Sequence, residues 1–216
     1  MITVRIRFEK VGEAAYISLL DLQRVFHRIL KRSGLPVYYT QGYNPHIYLS
    51  FACPLSLGQE SVCESCEVKT EEEQADFAAW QAILQPYMPQ GIRVISVAPA
   101  RDKVTEIETA TYQIALPAAA APALEAYNAA EQAVVLKKSK RGQKETDLKA
   151  YCKQVEYTVG AQEVSFTLTL PCGTGEALSL NPGLLLGYLQ QTHNIPPWQC
   201  RVLRTCLYTK NGEEFC

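Results

Sequence analysis

Residues 2–8 alternate in character. Ile2, Val4, Ile6 and Phe8 fall on one side of an extended chain, and Thr3, Arg5 and Arg7 on the other. A period of two marks a strand with one buried face, and such a strand needs neighbours to complete its ladder. The next segment supplies a helix. Ser18 is placed to cap it, Asp21 to reach back, and Leu22, Val25, Phe26, Ile29 and Leu30 recur at helical spacing. Gly34 and Pro36 end it. Residues 37–40, 47–51 and 63–70 read as strands, 71–88 as a helix and 92–97 as a strand. The order β-α-β-β-α-β is the ferredoxin-like arrangement.

The pattern recurs after a charged, unpatterned stretch. Residues 112–116 alternate, 121–133 read as a helix, 134–139 and 164–170 as strands, 182–191 as a helix and 201–208 as the last strand. The expected fold is therefore α+β, with two tandem ferredoxin-like (βαββαβ) halves, the second more irregular. The first half spans 1–100, a linker 101–109 and the second half 110–216.

A chain of 216 residues with 47% hydrophobic and 20% charged residues can build its core without metal or disulfide staples. The net charge of −1 gives no global field toward nucleic acid or a membrane, so any nucleic-acid site must be a local patch. There is no long apolar run and no basic-then-apolar leader after Met1, so a cytoplasmic protein with no membrane contact is expected. In a reducing compartment the eight cysteines are expected to be free, mostly buried thiols.

Four features could carry chemistry. Arg24, His27, Arg28 and Lys31 share one face of the first helix. Taken alone, such a stripe is explained better by a solvated face whose cations suit the helix C-terminus. The outward sheet residues Arg5, Arg7, Tyr48 and Lys69 add basic groups interleaved with rings, a pattern suited to unstacked RNA if that face is open. Tyr43, Asn44, Pro45 and His46 form a stiff loop that presents a histidine just before a strand. Lys137, Lys138, Lys140 and Arg141 make a basic run around a turn, either a phosphate-contacting hairpin or a solubilising loop, with Asp147 placed to position the lysines. The Cys63-x-x-Cys66 pair has no second pair, and no cofactor or metal is expected. Phosphate-loop, zinc-protease and nucleophile-elbow motifs are absent from the sequence, as is the three-cysteine motif of a radical-SAM cluster.

The blocks from Tyr16 to Pro36, Thr40 to His46, Leu49 to Ala52 and Pro54 to Ser61 closely resemble the radical-SAM-linked protein family, a bacterial domain of undefined function. The segments around Lys137–Asp147 and Arg201–Tyr208 resemble its later blocks more weakly. Two positions depart from the family pattern: Leu19 stands where a histidine is usual, and Ile47 where proline often follows the loop. The resemblance implies a partner, a radical-SAM enzyme with a cobalamin-binding-like region, and an accessory role. It implies no reaction.

The residues support a binding or accessory role better than an enzyme. The leading expectation is a non-catalytic protein that binds RNA such as tRNA, through Arg5, Arg7, Arg24, His27, Arg28, Lys31, Tyr43, Asn44, His46 and the basic run. One alternative is a metal-independent endoribonuclease, an analogy of architecture with tandem ferredoxin-like RNA-processing enzymes. The other is a protein–protein adaptor without RNA contact.

Overall fold

The computed structural model describes residues 1–139, 142–173, 178–193, 195 and 199–215, with only the backbone described at 138 and 139. It is a mixed α+β structure, and its main sheet is largely antiparallel. Four α-helices lie among the described residues. The chain forms two compact units. The first comprises Met1–Ile107 together with Thr209–Cys216, and the second Glu108–Tyr208.

In the first unit the alternating segment is strand β1, Ile2–Lys10. Helix α1, Leu19–Ser33, follows, then β2, Leu49–Ala52, β3, Glu60–Thr70, α2, Phe77–Leu84, and β4, Ile92–Pro99. The strands lie in the order β4-β1-β3-β2 and every pair is antiparallel. Register sets Val4 opposite Val68 and Ile6 opposite Cys66. Paired residues point to one face, so this register gathers the apolar sets of two strands. Phe26, Ile29 and Leu30 of α1 and Trp80 and Leu84 of α2 join the same core. Phe8, Phe26 and Phe51 form its aromatic centre, with ring centroids 4.9 to 6.2 Å apart.

Local chemistry fixes the helix ends. The Ser18 hydroxyl accepts from the Asp21 amide, and Gly34 ends α1 in the left-handed conformation. Helix α2 is shorter than its periodicity suggests. It starts at Phe77 because the Asp76 carboxylate accepts from the Ala79 amide, and the acidic run at 71–73 stays outside it. Gln81 donates to the carbonyls of Val94 and Ile95, and Gln85 accepts from the Val94 amide. The two glutamines thereby occupy edge groups of β4 that would otherwise invite another strand.

The second unit runs β5, Ile107–Pro117, α3, Ala121–Ala129, β6, Val134–Ser139, β7, Gly142–Asp147, β8, Tyr157–Val159, β9, Glu163–Pro171, α4, Pro182–His193, and β10, Arg201–Thr209. Ile107–Thr109, inside the stretch expected to be linker, thus belong to a strand. Main-sheet order is β10-β5-β9-β8. Residues 134–139 are a strand, as periodicity indicates, but they do not enter the main sheet. They pair with β7 in a separate two-stranded hairpin, and the three-residue β8 lies beside β9 instead. Tyr127 of α3 and Tyr188 of α4 meet edge to face, 5.8 Å apart.

The expectation of free cysteines throughout needs correction. Cys53 and Cys172 are disulfide-bonded, whereas Cys63, Cys66, Cys152, Cys200 and Cys206 are free. No helix among the described residues is long and apolar enough to cross a membrane.

Candidate nucleic-acid interface

Helix α1 buries Leu22, Phe26, Ile29 and Leu30, which turns Arg24, Arg28 and Lys31 to solvent. His27 lies on the border of the two faces and is partly covered. Arg24 pairs with Asp21 at 2.9 Å. Arg28 and Lys31 form no salt bridge among the described residues. Their charges are therefore available to an anion.

The Tyr-Asn-Pro-His loop is held from within. The Thr40 amide donates to the His46 carbonyl at 2.8 Å, and the His46 amide donates to the Thr40 hydroxyl at 3.2 Å. The His46 Nδ1 lies 3.1 Å from both the Asn44 carbonyl oxygen and the Thr40 hydroxyl. A carbonyl oxygen only accepts, so Nδ1 is the donor in the contact to Asn44. Gly42 adopts φ 142°, which suits glycine in this tight turn. Tyr43 is fully exposed, at 103%. Ile47, next to His46, is buried in the same core as Phe26, next to His27.

Helix α1 and the loop thus contribute to one apolar core. The charge of His46 is felt at His27, whose pKa is lowered first by burial and then by that neighbouring histidine. The sequence names Asn44 and His46 but misses Thr40, whose hydroxyl and amide close the loop. A hydroxyl residue six positions before the histidine, across a Gly-Tyr-Asn-Pro turn, is the signal that could have found it.

Other expected residues lie elsewhere. The outward face of β1 is not open. Arg5 is only 2% exposed, bonds to Glu67 at 2.6 Å and to the Asp102 carbonyl, and stacks on Phe215. Arg7 pairs with Glu214 at 3.1 Å. Lys69 sits 4.3 Å from the Tyr48 ring centroid. The pattern of cations and rings is real, but these groups engage one another, and Arg5 is closed to a large ligand.

In the second unit, Lys137 donates to the Ser179 carbonyl at 2.5 Å and stands opposite Lys144 across the hairpin. Like charges in that position repel. The side chain of Lys138, and Lys140 and Arg141 entirely, lie outside the described residues. Among the described residues, Asp147 holds backbone amides and not the lysines of the run. Its carboxylate accepts from the Ala133 and Lys149 amides, which ties down the base of the hairpin.

The Cys63 and Cys66 thiols are buried in β3, and burial pushes the Cys66 thiol well up. A protonated, enclosed thiol is a poor redox or metal group. Among the described residues no cluster of three or more His, Cys, Asp or Glu could hold a metal ion.

A comparison with curated proteins finds none that matches the chain. Residues 3–182 match the family described as "Uncharacterized protein conserved in bacteria (DUF2344)". That match covers all of the candidate residues in the first unit and most of the second unit, and the chain belongs to this bacterial family.

Proposed function

We propose that this chain is a non-catalytic accessory or substrate-binding protein that acts with a radical-SAM enzyme in the cytoplasm and binds RNA such as tRNA. One observation carries the RNA reading. A stiff loop bearing Tyr43, Asn44 and His46 is anchored in the same core as a helix whose Arg28 and Lys31 have no salt bridge among the described residues. Exposed cations attract phosphates, and a fully exposed ring offers a base a stacking surface. The radical-SAM partner is supported by the sequence resemblance. The strand orders β4-β1-β3-β2 and β10-β5-β9-β8 support reading both units as ferredoxin-like, with the β6–β7 hairpin inserted in the second.

The test is binding of total tRNA at low salt, by fluorescence anisotropy, with charge reversals at Arg24, Arg28 and Lys31. Binding that weakens with salt and with each reversal supports the reading. No binding at low salt overturns it. A pull-down from cells without a radical-SAM enzyme removes the partner.

One observation favours a second reading, a metal-independent endoribonuclease. His27 and His46 lie within electrostatic reach, as a general acid and base would. RNA cleavage in EDTA that is lost in His46→Ala supports it, and intact RNA after long incubation removes it.

A further inference from the structure

Arg5 and Arg7 are two residues apart on β1, so both side chains leave the strand on its outward face, about 7 Å from one another. The Arg5 Nη2 is held at the edge of its guanidinium by the Glu67 carboxylate and the Asp102 carbonyl. The flat of the guanidinium is given to the Phe215 ring, 3.9 Å away. The Glu214 carboxylate lies 3.1 Å from the Arg7 Nη2. The two arginines thus receive a ring and an anion from consecutive residues. The segment that brings them is tied down at its base. The Lys210 amide donates to the Glu106 carbonyl at 3.0 Å, and the Thr209 amide to the Glu213 carbonyl at 2.9 Å. Gly212, at φ 77°, turns the chain back between them. Beyond that turn the contacts described here are made by the two side chains.

We propose that the Arg5–Arg7 face is a site for one nucleotide of single-stranded RNA, and that Glu214 and Phe215 fill it as a displaceable stand-in. This deepens the RNA reading and rests on it. The chemistry of the occupant is the argument. A ring stacked on a guanidinium and a carboxylate on the next arginine reproduce a base beside its phosphate. The exchange is like for like. A base that takes the place of Phe215 restores the cover over Arg5, and a phosphate that takes the place of Glu214 restores the ion pair of Arg7. Arg5 needs no rearrangement, because Glu67 and Asp102 already fix its plane. Phe215 is buried, so lifting it opposes binding, and RNA must compete with the protein's own segment for this face. The Glu214 contact is the weaker hold, since 54% of its side chain is exposed.

The experiment measures total tRNA binding to the whole protein and to Glu214→Gln, Glu213→Gln and Arg7→Gln. Glu214→Gln frees the Arg7 site and should bind about threefold tighter. Glu213→Gln removes the same charge one residue away, where no salt bridge is described, and should bind as the wild type does. Arg7→Gln should lower the slope of log affinity against log salt by about 1, and Glu214→Gln should give no further gain in that background. Both glutamates are exposed, and circular dichroism checks the fold. Hydrogen exchange supplies a second measurement on the unaltered protein. Saturating tRNA should speed exchange across residues 209–215, because the segment lifts. Equal effects of Glu214→Gln and Glu213→Gln reveal a general charge effect and overturn the site. So does a gain that persists without Arg7. If tRNA binds while exchange across residues 209–215 is unchanged or slower, the displaceable segment fails and the RNA reading stands. If neither the wild type nor any variant binds tRNA at low salt, the RNA reading and the site fall together.

Discussion

The Arg5 guanidinium carbon stands 3.9 Å from the centroid of the Phe215 ring. These residues are far apart in the sequence, yet each is part of the other's burial. The ring covers the cation, while Glu67 and the Asp102 carbonyl hold its Nη2. Removing either partner should hurt. Arg5→Ala leaves Glu67 without its partner and should cost about 3 kcal/mol. Phe215→Ala uncovers the cation and should cost about 3 kcal/mol. Urea unfolding of each variant checks both, and a double variant should cost less than the sum because the two share one contact.

Arg28 and Lys31 should behave in the opposite way. They are exposed and outside any salt bridge among the described residues. Arg28→Glu and Lys31→Glu should shift stability by no more than about 0.5 kcal/mol. Each should weaken tRNA binding and lower the slope of log affinity against log salt by about 1. Thermal melts and anisotropy at several salt concentrations separate the two effects.

Gly91 marks a tight approach. It has φ 81°, and a Cβ there would lie 2.3 Å from the Val11 carbonyl oxygen. The same pair is joined by the Val11 amide donating to the Gly91 carbonyl at 2.8 Å. Gly91→Ala must move backbone against backbone and adopt an unfavourable φ. A loss of about 3 kcal/mol is expected, read as a fall in the urea midpoint.

His27 gives a pH dependence whose sign follows from its environment. Burial and the His46 charge hold its folded pKa below the unfolded value. The unfolded chain therefore takes up the proton first as pH falls. The contribution of His27 is fully present above the ordinary histidine pKa of about 6.5. It is lost as pH drops through the lowered folded value. Melting temperature should decline over that window in the wild type and decline less in His27→Gln.

Local signals in the sequence were reliable where the physics is local. Ser18 and Gly34 bound α1, and the alternation of β1 correctly separates Val4, Ile6 and Phe8 from Arg5 and Arg7. What alternation cannot convey is what covers the second face. The partners of Arg5 are Glu67, Asp102 and Phe215, all distant in sequence. The second unit was harder for a similar reason. The strand pattern of 134–139 is satisfied equally by a hairpin partner or by the main sheet, and β8 is too short, at three residues, to display a period. The candidate interface was legible residue by residue, through Arg24, His27, Arg28, Lys31, Asn44 and His46. That Phe26 of the helix and Ile47 after the loop share one core was not legible, because the two are distant in sequence.

The first unit is written in two separate pieces of chain, Met1–Ile107 and Thr209–Cys216, with the whole second unit between them. On the ribosome, N-terminal units usually fold first. Here β1 must wait for a segment made after the whole second unit, since the side chain that seals Arg5 is Phe215. Until then a nascent chain carries a sheet face on which Arg5 lacks its aromatic cover. Completion of the first unit thereby reports that translation has reached residue 215, and a chain stopped within the second unit would leave that face open.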